Sequence, residues 1–260
     1  MHKIIFILLL PLLLLSKNYV ISYFPLETNI VSKIGQSEIK TREISTKYLD
    51  TFINLSPIET SKLSNAVIYF HFGLDVEKKY AEVLLNQNPN LMVVDLSLNT
   101  NRINNNPYIW MDPFNMRIIA KTIYDAFVRI DKAHEHYYKI NYEKFLDEID
   151  QTFLKIREKL NTADIQSIYI LDNYWEYFTN RFRITTYYRE KQYLSISDIS
   201  QVNEFIKSKS INKLLFYENN SNYDLVISVA KNLNLKVIED DIFGDIWHLN
   251  LLNLSQKLSD

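Results

Sequence analysis

The stretch from residue 138 to residue 160 carries one unbroken apolar stripe. Tyr138, Tyr142, Phe145, Ile149, Phe153, Ile156 and Leu160 follow one another at spacings of 4, 3, 4, 4, 3 and 4, with no Gly or Pro between them. That is the period of an α-helix. It is held over about six turns, or roughly 33 Å at 1.5 Å per residue. A crossover between neighbouring strands needs no such length. Two readings follow: a coiled-coil homodimer, or a stiff helix joining two lobes. The flanking sequence favours the second, because a series of alternating strands and helices stands on each side.

On the N-terminal side, residues 20–24, 38–44, 67–70 and 91–94 are β-branched or aromatic runs, expected as strands. Helices are expected between them at 27–33, 57–63 and 75–85. A polar, Asn-rich loop spans 97–107, and a helix spans 113–130 with Ile119, Ile123 and Phe127 four apart. Asp131 is expected to restart the helix. On the C-terminal side, expected strands at 168–171, 184–188, 214–217 and 236–238 alternate with helices at 175–182, 197–209 and 223–233, and 246–258 closes the chain as a helix. Strands alternating with helices argue for parallel sheets built from β-α units. The expected fold is α/β: two β/α lobes, each around a parallel sheet, joined by one long backbone helix, with a ligand cleft between the lobes. The expected divisions are 1–17 (export signal), 18–131 (first lobe), 132–162 (linking helix) and 163–260 (second lobe).

Residues 1–15 read MHKIIFILLLPLLLL. Lys3 gives a short basic start, and the apolar run from Ile4 to Leu15 is too short for a bilayer span of about 20 residues. It matches the apolar region of a secretory signal. Ser16, Lys17 and Asn18 lack an A-x-A pattern, so an uncleaved membrane anchor is the other reading. Either one places the rest of the chain outside the cytoplasm, with a soluble periplasmic protein as the expected product. The 260 residues include no Cys. This excludes disulfides, thiolate metal sites, cysteine nucleophiles and a lipid-modified N-terminal cysteine. With glycine only at Gly35, Gly73 and Gly244, neither G-x-G-x-x-G nor G-x-x-x-x-G-K-S/T can be written. A net charge of −2 leaves no basic footprint for nucleic acid. No G-x-S-x-G or H-E-x-x-H pattern occurs, and no enzymatic activity is expected.

The most specific stretch is N-P-Y-I-W-M-D-P at 106–113. It resembles the N-P-H-I-W-L-D-P signature of the periplasmic metal receptors that feed zinc, manganese and iron ABC importers. Four further marks fall in order. Ser64-Asn65-Ala66 with G-L-D-V-E at 73–77 resembles the family's N-A-D and G-L-x-L-E pair. Pro57 with Glu59 resembles its P-S-D helix start. Phe216-Tyr217-Glu218 resembles its F-x-E strand end. K-V-I-E-D-D-I-F-G at 236–244 resembles its K-V-x-x-L-D-P-L-G segment. The resemblance covers about residues 19 to 245. It implies an extracytoplasmic receptor, expected as a monomer, that takes a metal ion between its lobes and hands it to a membrane permease. It also implies small lobe motions on binding.

The family holds its ion with four ligands, commonly three His and one acid. Carried over by motif, these fall on Thr51 (by its spacing back from Pro57), Tyr108, Asp172 and Asp241. No ligand His is present at those positions. Tyr108, Asp172 and Asp241 are the candidate metal ligands, and they offer only oxygen. Zinc favours imidazole and thiolate, whereas oxygen sets suit harder cations such as Mn²⁺. A phenol titrates near 10 and binds as phenolate at neutral pH only to a strongly polarising ion such as ferric iron. Manganese, iron and zinc all stay open. So does a second reading, a degenerate receptor fold that binds no metal and serves another ligand or partner. In that case Asp172 and Asp241 are kept apart or paired with a base such as Arg183 or Arg189.

Of the histidines outside the signal, His134 and His136 are expected in solvent and His248 in packing. His71, just before Gly73, is expected as a satisfied, partly buried histidine; it is also the one His that could replace a lost ligand. The His-rich acidic loop common in zinc receptors is absent. Trp175 is expected to fill part of the cleft, and Tyr187, Tyr188 and Tyr193 could line it.

Overall fold

The computed structural model describes residues 18–163, 165, 167–170, 173–188, 203–209, 211–217 and 223–260. Residues 1–17, the expected export segment, lie outside the described residues. The first series runs β1 (Asn18–Ser22), α1 (Pro25–Gly35), β2 (Ile39–Glu43), α2 (Pro57–Leu63), β3 (Ile68–His71), α3 (Asp75–Gln87) and β4 (Met92–Asp95). Then come α4 (Pro113–Ile130) and α5 (Glu135–Thr162). The second series runs β5 (Ile168–Ile170), α6 (Glu176–Phe182), β6 (Thr186–Tyr188), β7 (Lys213–Tyr217), α7 (Tyr223–Asn232), β8 (Lys236–Asp240) and α8 (Trp247–Ser259). Of the helix expected over 197–209, residues 203–208 are helical and 197–202 lie outside the described residues.

Both sheets are parallel and share one strand order, β2-β1-β3-β4 and β6-β5-β7-β8. The order reverses beside β1 in the first sheet and beside β5 in the second. In open α/β sheets, a ligand crevice forms at the carboxyl ends of the strands at such reversal points.

Local chemistry starts the helices. Pro25, Pro57 and Pro113 each occupy the first turn of a helix, where the missing N–H is no loss. Ser56 and Glu59 form a reciprocal capping box on α2. The Asp112 carboxylate accepts from Phe114 N at 2.9 Å to cap α4. Gly35 ends α1 because the chain passes close there: a Cβ would stand 2.7 Å from that of Ile39.

The 28-residue α5 is about 42 Å long. It packs on α4 and α1 of the first lobe and on α8 from the chain's end. Its buried residues are Tyr138, Asn141, Phe145, Ile149, Thr152 and Ile156. Two polar residues therefore sit where Tyr142 and Phe153 were expected. Helices on more than one side draw the buried face round, and each polar group has a partner. Asn141 Nδ2 donates to Ile34 O at 3.2 Å, and Thr152 Oγ1 to Glu148 O at 2.7 Å. Asp131 ends α4 and starts the turn that leads into α5. Its Oδ2 takes Tyr138 OH and pairs with His134 Nδ1, both at 2.7 Å, across a short 3-10 turn. His134 is thus tied down rather than free in solvent.

One apolar core runs through both lobes from Val20 to Leu258, and a second, smaller one lies against the other face of the C-terminal sheet. The strand period of two sorts the residues. Ile168, Ile170 and Leu215 enter the large core, while Tyr169, Leu214 and Phe216 enter the small one.

Candidate metal centre

The carboxyl ends of the two sheets face each other across a seam tied by buried polar contacts. Trp110 Nε1 donates to Ile242 O at 3.0 Å, and Trp247 Nε1 donates to Trp110 O at 2.7 Å. Asn106 Nδ2 donates to Asn173 O at 2.7 Å and Glu176 Oε2 at 2.9 Å. Tyr177 OH donates to Asn106 O at 2.9 Å and accepts from Ile103 N at 3.1 Å. Arg181 grips Asp112 with two bonds of 2.7 Å and lies over the Phe114 ring. His248, on α8, sits 3.0 Å from Glu148 of α5. Each buried hydrogen bond adds about 1 kcal/mol. Together they fix one spacing between the lobes. Solution scattering with and without Mn²⁺ is expected to give the same radius of gyration; a clear compaction with Mn²⁺ would mean that the seam stands open without the ion.

Aromatic side chains fill the middle of the seam. Phe243, just past β8, stacks on Tyr48 with ring centroids 3.7 Å apart. Tyr108, Tyr174, Tyr217, Trp110 and Phe24 stand edge-on or tilted around Phe243 at 5.7–6.1 Å. Tyr108 also meets Tyr174 at 4.6 Å. Edge-to-face pairs of this kind each contribute about 0.5–1.5 kcal/mol beyond the area they bury. Burial holds the Tyr48 phenol above its ordinary range, and Tyr174 and Asp50 push it the same way. It stays protonated at neutral pH.

Tyr108 sits at this seam, in the wall of a cleft of about 510 Å³. Asp241 directly follows β8 and does not line that cleft; its Oδ1 accepts from Phe243 N at 2.8 Å. Burial, with Asp245 adding to it, raises the Asp241 carboxyl above its usual range, while the Phe243 N–H acts against the rise. Asp172 lies outside the described residues, as do Arg189 and Tyr193. Among the described residues no three of His, Asp and Glu converge to hold an ion. Thr51 is exposed and its hydroxyl donates to Asp50 at 3.0 Å, while Tyr48, three residues earlier, is the one turned onto the seam. Trp175 does not fill the cleft. It is fully buried, and its Nε1 donates to Asp240 Oδ2 at 2.9 Å. Its neighbour Tyr174 faces the seam instead. Tyr187 packs on Phe205 and against the small core.

His71 is not at the seam's centre either. It is buried at the end of β3, its Nδ1 3.9 Å from Glu77 Oε2, too far for a hydrogen bond. Burial lowers its pKa and keeps it neutral. Beside it, Glu27 of α1 and Glu77 of α3 are fully buried with their carboxyl groups against each other. Glu27 Oε2 accepts from Tyr23 N at 2.6 Å and Oε1 from Phe72 N at 3.0 Å, while Glu77 Oε2 accepts from Leu74 N at 2.7 Å. This pair pins the β1–α1 and β3–α3 turns behind the seam. Gly73 takes φ +89° there, a conformation glycine adopts without strain.

Sequence reasoning passed over Tyr48, Tyr174, Tyr217 and Phe243. A signal for three of them existed. Tyr217 ends an expected strand, Phe243 stands five residues past another, and Tyr174 stands two residues past an aligned ligand position.

The profile of the family described as zinc-uptake complex component A, periplasmic (ZnuA), matches residues 20–246. A candidate metal-binding protein of Chlamydia muridarum is 20% identical over 219 residues, covering 79% of this chain and 77% of that protein. The crystal structure of ZnuA superposes with a TM-score of 0.83 at 19% identity, covering 94% of this chain and 98% of the other. A manganese-bound variant of the periplasmic metal binding protein from Candidatus Liberibacter asiaticus gives a TM-score of 0.77 at 17% identity, covering 94% and 99%. At these identities the superpositions speak for the fold: two parallel-sheet lobes around a long central helix.

Proposed function

Because this chain belongs to the periplasmic zinc-uptake component A family, we propose that it is the extracytoplasmic metal-ion receptor of an ABC importer. It holds its ion between the lobes through the oxygens of Tyr108, Asp172 and Asp241. The observation that supports this reading is that the Tyr108 ring meets Phe243 at 6.0 Å while Asp241 Oδ1 accepts from Phe243 N, so both candidates border one side chain of the seam. A set of one phenol and two carboxylates suits a hard divalent or ferric ion, with manganese or iron ahead of zinc. Asp241 Oδ1 accepts from Phe243 N, which steadies the carboxylate. In this reading the segment 1–17 exports the chain, the mature receptor acts as a monomer without catalysis, and a membrane permease receives the ion.

The test is the metal content of the protein purified without chelators, with Asp241→Ala alongside. One bound manganese or iron ion is expected in the wild type and none in the variant. Adding Mn²⁺ at about 100 times its Kd should raise the melting temperature by roughly 5–10 °C. No metal in either protein and no thermal shift with Mn²⁺, Fe³⁺ or Zn²⁺ would turn the fold over to another ligand or partner.

A further inference from the structure

We propose that the buried carboxyl groups of Glu27 and Glu77 form a proton-operated latch on the ring stack of the seam, closed while they share one proton and open once it leaves. Its consequence for ion binding rests on the metal-receptor reading.

Both carboxyl groups are fully buried, and between them they hold two turns. Glu27 takes Tyr23 N from the β1–α1 turn and Phe72 N from the β3–α3 turn, and Phe24 N faces it as well. Glu77 takes Leu74 N on Oε2. Its Oε1 is buried with no N–H or O–H in reach among the described residues. The group against this carboxyl is that of Glu27. Two carboxylates so placed repel, and neither reaches solvent. One proton on Glu77 removes the repulsion and turns the orphaned group into a donor to Glu27.

The two turns lead straight to the seam. Phe24 follows Tyr23, and its ring stands 6.1 Å from that of Phe243 and 5.5 Å from that of Tyr48. The Phe72 ring stacks on Trp110 at 4.6 Å, and Trp110 Nε1 holds Ile242 O of the C-terminal series. Without the proton, one carboxylate must leave its N–H groups, and the turn it held is freed. Phe24 or Phe72 moves with that turn, and a close-packed interior passes such a shift on to its neighbours.

The proton leaves near neutrality, since burial raises Glu27 to about 7. The phenols around the pair do not titrate there. Tyr23 on the β1–α1 turn, Tyr48 after β2, Tyr69 on β3 and Tyr80 on α3 belong to a class that ordinarily titrates near 10, and burial pushes the first three higher. Burial also keeps His71 on β3 neutral, while Asp95 on β4 and Lys78 on α3 act on it in opposite senses.

The experiment compares the wild type with Glu77→Gln at pH 6 and pH 8 by two measurements. The glutamine keeps an acceptor for Leu74 N and gives Glu27 a permanent donor, so it holds the latch closed at both values. The first measurement is amide hydrogen exchange without metal, corrected for the intrinsic rate. Protection of residues 22–24 and 71–75 in the wild type is expected to fall about tenfold from pH 6 to pH 8, the drop in closed population for a group titrating near 7. In Glu77→Gln it is expected to stay level. The second measurement is calorimetric titration with MnCl₂. The two proteins are expected to bind equally at pH 6, and Glu77→Gln about tenfold more tightly at pH 8. Asp241 is common to both, so its own titration cancels. Level protection in the wild type, an equal fall in the variant, or equal Mn²⁺ affinity at pH 8 overturns the latch and leaves the receptor standing. No Mn²⁺ binding by either protein at either pH overturns the receptor, and the latch then stands or falls by the exchange alone. The wild-type exchange decides it in the same way if Glu77→Gln does not fold.

Discussion

Replacing Trp110 with alanine is expected to cost about 3–5 kcal/mol of folding stability, the range for truncating a fully buried tryptophan. Trp110 is 1% exposed and stacks on Phe72 at 4.6 Å. It also borders Phe24, Tyr108 and Phe243. Its ring nitrogen donates to Ile242 O and its carbonyl accepts from Trp247 Nε1, so one residue of the β4–α4 loop holds two parts of the C-terminal half. The loss therefore combines a cavity with one freed acceptor, Ile242 O, since the main-chain carbonyl that serves Trp247 stays. Trp110→Phe separates these effects. It keeps most of the ring but orphans Ile242 O, and is expected to cost about 1–3 kcal/mol. Urea unfolding at neutral pH measures both. A loss below about 1 kcal/mol for Trp110→Ala would show that the lobes are held together elsewhere.

Glu27→Ala is expected to be nearly as damaging, for a different reason. It leaves Tyr23 N and Phe72 N buried without an acceptor, at about 1–3 kcal/mol each. The same carboxyl gives the wild type an uncommon pH dependence. Burial raises Glu27 to about 7 from an ordinary 4.5, and burial together with Glu27 raises Glu77 well above its ordinary value. The folded protein thus keeps a proton that the unfolded chain has already released. Stability from this source is fully present below about pH 4.5 and is lost as pH rises through about 7. The shift corresponds to about 3 kcal/mol between those limits. Urea midpoints at pH 5, 6, 7 and 8 are expected to fall steadily in the wild type. They should fall less in Glu27→Gln, which cannot ionise there. A wild-type curve that rises across this range would mean that the pair is not sharing a proton.

The strands and helices were legible because their signals are local. Pro57 marks the first turn of α2 and the aliphatic stripe marks α5, whatever else the chain does. Even the division into two series could be read, since each repeats the same alternation. The centre of the seam could not. Counting back six residues from Pro57 lands on Thr51, but residues 44–56 form no helix or strand, so the count does not say which side chain turns inward. The structure turns Tyr48. Phe243 meets Tyr48, Tyr108, Tyr174 and Tyr217, partners drawn from four separate stretches of chain, and nothing in any one stretch announces the others. Glu27 was hidden for the opposite reason. An acid in the first turn of a helix is ordinary, and only the approach of α3 reveals that it is buried against a second acid.

The helix α8 lies against α5 and also against α1, the first helix of the described residues. Trp247 and Leu251 on it are buried in the same core as Val20 and Ile30. A chain emerging N-terminus first would therefore hold an uncovered oily flank until α8 follows. Joining such remote parts is the slow kind of folding step. Clipping residues from α8 should therefore harm the protein more than clipping a loop.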